Sequence, residues 1–162
     1  MFLVGSTLTV STPGVYKYEY VWKTVEERAG FFTFRVRACS DAYVAFGRET
    51  ALPSGYEVVF GARSNTKTCV KIWGRELTCS TQEGLLDCSK YRQLWVSWNG
   101  RVIAAGQGAM AGQRVLVTAS MHELNDVGAL SFTTAGQNAG EWLFEEDLGM
   151  WSTAEDLDRA TG

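Results

Sequence analysis

One short stretch near residue 100 constrains the fold more than any other part of the sequence. Leu94 to Trp98 and Arg101 to Ala105 are two apolar runs of strand length, separated only by Asn99-Gly100. Asn-Gly readily adopts the positive φ values of a type I′ turn, which joins adjacent antiparallel strands. The sequence therefore predicts a β-hairpin here, and a hairpin with apolar surface needs further strands to cover it.

Further strand-like segments, short and rich in aromatic and β-branched residues, follow one another along the chain. Seventeen glycines and only two prolines separate them, and helical periodicity is missing. The predicted strands are 15–22, 32–37, 43–46, 55–60, 67–73, 76–79, 114–119, 127–133 and 141–144, with 61–66 as a hairpin loop. The sequence thus predicts an all-β protein, a single-domain antiparallel β-sandwich that is jelly-roll-like.

The two ends of the chain differ from this strand-rich middle. We expect residues 1–14 to form an N-terminal extension and residues 15–144 to form the sandwich domain. Residues 145–162 hold six acidic side chains and one arginine, and Ser152 to Glu155 have capping-box spacing. This composition predicts a short acidic C-terminal tail that is partly helical.

Charge and composition narrow the range of partners. Lys and Arg number 15 against 18 Asp and Glu, so the chain lacks the positive surplus that binds nucleic acid. No apolar run reaches the roughly 20 residues that span a membrane. Gly106 to Gly108 do not fit a nucleotide-binding loop, and the cysteine spacings and the lone histidine, His122, fit no zinc site. We therefore predict no nucleic-acid partner, no membrane span, no cofactor and no metal.

The cysteines and the N-terminus bear on the compartment. Cys39, Cys69, Cys79 and Cys88 allow three pairings, and buried thiols in a reducing compartment are the alternative. The N-terminus shows no basic segment followed by an apolar stretch of signal-peptide length. The sequence leaves two locations open: the cytoplasm, or an extracellular setting with a leader that lies outside this sequence.

Six tryptophans are many for 162 residues, and two of them share one predicted strand. Trp95 and Trp98 have opposite parity, so they point to opposite faces. Both are buried only if both faces of the strand are covered. Otherwise one indole meets solvent, where it suits stacking on a sugar or a lipid. Packing in the core is the alternative for each tryptophan.

Candidates for catalysis are sparse. His122 and Glu123 lie in the polar connection 120–126 and are the only proton-transfer candidates that share a loop. The adjacent carboxylates Glu145 and Glu146 point to opposite faces of a strand, so they do not flank a glycosidic bond. His122 and Glu123 are therefore the weak catalytic alternative, and we predict no other catalytic residue.

Five segments in a fixed order resemble a known family. They are Phe34 to Ala42, Gly55 to Gly61 with Asn65 to Lys67, Cys88 to Trp98, Val102 to Gly108, and Gly140 to Phe144. Across residues 15–144 they resemble the domain named after farnesoic acid O-methyltransferase, a module of many invertebrate proteins. Tyr43 departs from the family pattern, because family members often carry histidine there.

The resemblance implies a β-sandwich recognition module, often extracellular, more safely than it implies methyl transfer. The reason is that the chain lacks the glycine-rich strand-to-helix turn of the common methyltransferases. Cys39 and Cys88 stand where family members commonly carry cysteines. Cys69 and Cys79 are this chain's own additions across a predicted hairpin, and we hypothesise that they pair.

The leading hypothesis is a non-catalytic, extracellular module that binds a carbohydrate or a small amphipathic ligand through loops and an exposed aromatic residue. The candidate ligand-binding residues combine rings that stack with side chains that donate hydrogen bonds: Tyr91, Arg92, Trp95, Trp98, Arg63 and Asn65. One alternative is an enzyme acting on a terpenoid or related lipid through His122 and Glu123. The other is a structural module that forms a homo-oligomer.

Overall fold

The computed structural model describes residues 7–18, 21–27, 29–47, 53–121 and 127–145. The elements in these residues are β1 (Thr7–Thr12), β2 (Val21–Glu27), β3 (Ala29–Arg37), β4 (Ala42–Gly47), β5 (Pro53–Gly61), α1 (Ala62–Asn65), β6 (Lys67–Ile72), β7 (Arg75–Thr81), β8 (Arg92–Asn99), β9 (Val102–Gln107), β10 (Val115–Ser120), β11 (Val127–Thr134) and β12 (Gly140–Glu145). The strands form two six-stranded sheets, sheet A in the order β1-β12-β3-β8-β9-β10 and sheet B in the order β2-β11-β4-β5-β6-β7. All pairings are antiparallel, so the predicted antiparallel β-sandwich is confirmed. The acidic tail beyond residue 145 lies outside the described residues.

The space between the sheets is filled by every second residue of the strands, as the period of two requires. Its centre is aromatic: the Trp142 ring lies 5.3 Å from the Phe34 ring and 5.2 Å from the Phe132 ring, measured between centroids. Such pairs add about 0.5–1.5 kcal/mol beyond the area they bury. The indole N–H of Trp142 donates to the Thr12 hydroxyl at 3.1 Å, so β1 supplies the partner that this buried donor needs.

The hairpin between β8 and β9 is confirmed, but its turn lies one residue later than predicted. Asn99 is the last residue of β8 and lies opposite Val102, so Gly100 and Arg101 form the two-residue turn. Gly100 has a φ of 56°, whereas Asn99 is not among the residues with positive φ, so the predicted type I′ turn at Asn99-Gly100 is wrong. The predicted hairpin loop at 61–66 is also present, since it contains α1 and connects β5 to β6. Both features depend on local turn chemistry, which sequence alone reports well.

The prediction of a strand over 15–22 is wrong for residues 15–18. This stretch is irregular, and β2 begins only at Val21. Its carbonyl groups are satisfied outside any ladder: the Thr133 hydroxyl donates to the Lys17 carbonyl at 3.0 Å, and the Gln137 amide donates to the Gly14 carbonyl at 2.9 Å. Residues 15–18 have the aromatic alternation of a strand, yet they form an irregular segment that packs against sheet B and does not pair within it.

Two disulfides join all four cysteines. The long-range disulfide, Cys39–Cys88, spans 49 residues and links the end of β3 to the segment before β8. The hairpin disulfide, Cys69–Cys79, joins residues that face each other on β6 and β7, as hypothesised. Disulfides persist in oxidising compartments, so the pairings indicate an extracellular or secretory location and not a reducing one. The described residues contain no helix long and apolar enough to cross a membrane.

Candidate functional site

The structure buries both tryptophans that sequence reasoning placed in the ligand site. Trp98 points between the sheets, where its ring lies 6.3 Å from that of Phe46. Trp95 points to the other face of β8, but its indole N–H donates to the Gln113 carbonyl at 2.8 Å, and a Cβ at Gly106 would lie 2.4 Å from its ring. Of the two alternatives, burial of both indoles is the one that the structure shows, because the core covers one face of β8 and the β9–β10 connection covers the other.

Arg92 is the first residue of β8 in sheet A, Tyr91 directly precedes it, and both side chains contact neighbouring side chains. The Tyr91 hydroxyl donates to Glu141, and the Arg37 guanidinium lies 4.8 Å from the centre of the Tyr91 ring while donating to Glu141 at 2.8 Å. Burial and the Glu141 carboxylate raise the pKa of Tyr91. Arg92 pairs with Asp87 at 3.5 Å. The structure thus groups Tyr91 with Arg37 and Glu141 at sheet A. Arg63 and Asn65 lie elsewhere, in α1, which connects strands β5 and β6 of sheet B.

Arg63 and Asn65 lie in α1, which is a left-handed turn. Arg63, Ser64 and Asn65 have φ values of 51°, 59° and 61°. Left-handed backbone costs non-glycine residues about 1–2 kcal/mol each, and such conformations cluster at functional sites. The Asn65 side chain compensates by bracing the loop, since it donates to the Leu86 carbonyl at 2.7 Å and accepts from the Leu86 amide at 3.0 Å. The Asn65 side chain therefore makes its hydrogen bonds within the protein, whereas the Arg63 side chain is exposed to solvent.

Arg63 reaches over the outer face of sheet B, the face turned away from the core. Its guanidinium donates to Glu76 on β7 at 2.5 Å. Glu76 lies opposite Lys71 in the β6–β7 register, and Lys71 lies opposite Glu57 in the β5–β6 register. Arg63 therefore joins a row of acidic and basic side chains that crosses three strands.

Tyrosines surround the next part of this row. The Glu57 carboxylate is buried and accepts hydrogen bonds from the hydroxyls of Tyr16 and Tyr18, the latter at 2.7 Å. Lys71 donates to the Tyr43 hydroxyl at 3.1 Å and lies 5.3 Å from the centre of that ring. Burial, with the Glu57 carboxylate alongside, raises the pKa of Tyr16 and Tyr18. We call this surface the outer-face cluster: Tyr16, Tyr18, Tyr43, Glu57, Arg63, Lys71 and Glu76.

Trp73 supplies an exposed aromatic ring at the end of the outer-face cluster. It lies in the β6–β7 turn, two residues beyond Lys71, and its side chain is the most exposed large apolar one of the described residues, at 73%. Its amide donates to the Gly55 carbonyl at 2.8 Å, and a Cβ at Gly55 would lie 2.4 Å from its ring. The glycine therefore lets the indole rest on β5, which positions the ring and leaves much of it open.

Sequence reasoning missed Trp73 because it favoured the tryptophans of the predicted hairpin. The available signal was the dipeptide Trp73-Gly74, which stands where the predicted strand 67–73 ends and shortly before the predicted strand 76–79 begins. A bulky residue in a tight two-residue turn has no sheet face to pack against, so exposure follows from its position.

A cleft opens beside the same turn, between the edge strands β7 and β10. Its volume is about 310 Å³, and Tyr56, Ile72 and Leu77 are among the apolar residues that line it. Arg75 and Ser120 contribute polar groups to the lining. A cleft of this size with mixed walls is within the range of small-molecule sites.

Two other candidate sites from the sequence need comment. His122 and Glu123, the weak catalytic alternative, lie outside the described residues. Among the described residues, Cys69, Glu76 and Cys79 bring three donor atoms within 4.8 Å of one another. Both sulfurs are joined in the hairpin disulfide, so they are not thiolate ligands for a metal.

Comparison with solved structures supports the fold. A protein of unknown function from Saccharomyces cerevisiae is 16% identical with a TM-score of 0.51, over 91% of this chain and 85% of that one. The Ca²⁺/Man-bound exoplasmic/lumenal domain of VIP36 is 10% identical with a TM-score of 0.48, over 89% and 86% of the two chains. A glycoside hydrolase family protein from Mycobacterium thermorestibile is 14% identical with a TM-score of 0.45, over 90% and 70%. The yeast protein shares the fold, and nothing more follows at these identities.

Comparison of sequences identifies the family. No curated protein matches the chain significantly. The profile of the family described as farnesoic acid O-methyl transferase matches residues 16–148, which agrees with the resemblance over 15–144. The match covers most of the chain and nearly every element of both sheets. The chain therefore belongs to the farnesoic acid O-methyltransferase family.

Proposed function

We propose that this protein is a non-catalytic, secreted recognition module that binds a carbohydrate on the outer face of sheet B. The observation that carries the proposal is the position of Trp73, an indole with 73% exposure at the end of a row of charged side chains. An indole of this kind offers a flat apolar face to the C–H surface of a sugar ring. The charged groups beside it supply the donors and acceptors that sugar hydroxyls need.

Each side chain has a role that its chemistry allows. Trp73 stacks on the sugar ring, the ammonium of Lys71 donates to hydroxyl oxygens, and the carboxylate of Glu76 accepts from hydroxyl groups. Arg63 donates from the left-handed turn and keeps Glu76 in place through their ion pair. Asn65 acts through the loop that it braces, and we assign no sugar contact to Trp95 or Trp98, because both are buried.

Binding is tested first by thermal shift of the purified protein with separate ligands. The panel contains glucose, mannose, galactose, N-acetylglucosamine, Ca²⁺, farnesoic acid and S-adenosylmethionine. A ligand at 100 times its Kd adds about 2.7 kcal/mol of stability, which raises the Tm by roughly 5–10 °C for a domain of this size. A shift with a sugar supports the proposal, and a shift with farnesoic acid or S-adenosylmethionine alone supports the enzyme alternative.

Isothermal titration with the sugar that gives a shift then locates the site. Trp73→Ala is expected to weaken binding about ten-fold or more, about 1.4 kcal/mol, because the stacking surface is lost. Phe31→Ala is the matched control, since Phe31 is also an exposed aromatic residue, at 55%, but lies on sheet A. Equal affinities of Trp73→Ala and the unmodified protein would refute the location, and no response to any sugar would refute the proposal.

A further inference from the structure

We propose that the cleft between β7 and β10 binds the apolar group of an amphipathic glycoside whose sugar stacks on Trp73. This inference rests on the proposed function and names its ligand class: a sugar that carries an alkyl, acyl or isoprenoid substituent. Three observations support it, namely the lining of the cleft, its volume and its position next to the Trp73 turn.

The lining suits the junction between an apolar and a polar group. Ile72, Leu77 and Ala119 provide aliphatic surface, while Arg75 and the Ser120 hydroxyl provide polar groups. A free sugar would leave its hydroxyls without partners against the aliphatic part, which is costly. A wholly apolar molecule would cover the charged Arg75. An amphipathic molecule avoids both costs.

The volume sets the length of the apolar group. A methylene group is similar in size to a water molecule, which occupies roughly 30 Å³ in the liquid. The cleft volume of about 310 Å³ therefore accommodates on the order of ten heavy atoms. This capacity fits one short chain and not a second folded partner.

The position of the cleft joins it to the sugar site. Ile72 directly precedes Trp73, and Arg75 lies two residues after it, so residues before and after the exposed indole line the cleft. On the neighbouring strand, Gly55 carries the indole and Tyr56, the next residue, lines the cleft. Adjacent residues of a strand point to opposite faces of the sheet, so the indole lies on the outer face of sheet B and the cleft on its core side. A ligand that contacts both surfaces therefore passes around the two-residue turn, with its sugar on one side and its apolar group on the other.

The test compares methyl, butyl and hexyl glycosides of glucose, mannose and galactose by isothermal titration, all below the concentrations at which they form micelles. Each buried methylene is worth about 0.8 kcal/mol, so each added methylene tightens binding roughly four-fold until the cleft is full. Thr118→Trp places a bulky ring at an exposed lining position and is expected to abolish this gain while leaving methyl glycoside affinity unchanged. Thr9→Trp, the same change at an exposed position of β1 on the opposite edge of sheet A, is the control.

The outcomes separate this inference from the proposed function. A chain-length gain that is lost in Thr118→Trp and kept in Thr9→Trp supports the inference. Binding of methyl glycosides without any gain from longer chains overturns the inference and leaves the proposed function standing. A gain that survives Thr118→Trp places the chain elsewhere and also overturns it. Hexyl binding that is unaffected by Trp73→Ala overturns the joint site, and no binding by any glycoside overturns both.

Discussion

The replacement of Trp95 by alanine separates a structural tryptophan from a ligand-binding one. Trp95 is 1% exposed, and its indole N–H donates to the Gln113 carbonyl at 2.8 Å. Truncation of a buried tryptophan to alanine costs about 3–5 kcal/mol, through lost burial and the cavity that is left. Typical domains are stable by only about 5–15 kcal/mol, so this is a large fraction of the total. We expect the Tm to fall by roughly 6–20 °C.

The matched substitution is Trp73→Ala, because it removes the same atoms from an exposed position. Surface substitutions usually change stability by less than about 0.5 kcal/mol, so the Tm of this variant is expected to stay within about 2 °C. Urea unfolding followed by far-ultraviolet circular dichroism measures both variants without relying on tryptophan emission. The midpoint of Trp95→Ala should fall by roughly 1 M or more. A cost below about 1 kcal/mol at Trp95, or equal costs at the two positions, would refute the reasoning.

Three further predictions concern the fold. The free energy of unfolding is expected to fall as the pH rises above about 10, because the raised pKa values of Tyr16 and Tyr18 favour their neutral forms in the folded state. The stabilisation from these two tyrosines is complete below pH 10. In urea titrations, the double variant Tyr16→Phe, Tyr18→Phe should therefore lose less stability between pH 8 and 11 than the unmodified protein. Alanine replacement of both cysteines should cost roughly 4 kcal/mol for the long-range disulfide and roughly 2.7 kcal/mol for the hairpin disulfide, from loops of 49 and 10 residues; the reverse order in urea unfolding would contradict the loop-entropy explanation. Asn65→Asp keeps the acceptor for the Leu86 amide and loses the donor to its carbonyl, so a loss of about 1 kcal/mol is expected from the same measurement, and an unchanged midpoint would show that the brace is dispensable.

The sequence predicted the sheet class and several hairpins because these depend on neighbouring residues. Asn99-Gly100 located the turn to within one residue, because Gly100 readily adopts the positive φ that the turn uses, and the alternation of the flanking strands indicates which residues face the core. The pairing of Cys69 with Cys79 followed in the same way, since two cysteines across a short hairpin become opposite neighbours. Local rules were sufficient wherever the contacts are close along the chain.

The candidate site was predicted less well, because exposure depends on distant segments. Trp95 has the alternation of a surface residue on sheet A, and only the β9–β10 connection, through the Gln113 carbonyl, buries it. The aromatic alternation from Tyr16 to Tyr18 is that of a strand, yet both hydroxyls reach Glu57, about 40 residues away. At Trp95 the local pattern allows contact with solvent, and at Tyr16 to Tyr18 it predicts pairing with a strand. In both places a contact with a segment distant in sequence is found instead.

The sequence by itself determined that this chain folds as an all-β protein of the farnesoic acid O-methyltransferase family, since strand periodicity, turn dipeptides and motif order are all written locally. Only the tertiary structure decided which aromatic residue faces solvent. Trp95 and Trp98 are covered on the two faces of β8, whereas Trp73 sits in a turn, resting on a glycine with no segment over it among the described residues. The physical reason is that a side chain is buried by whatever the rest of the chain places against it, and in a sandwich those neighbours come from strands far apart in sequence.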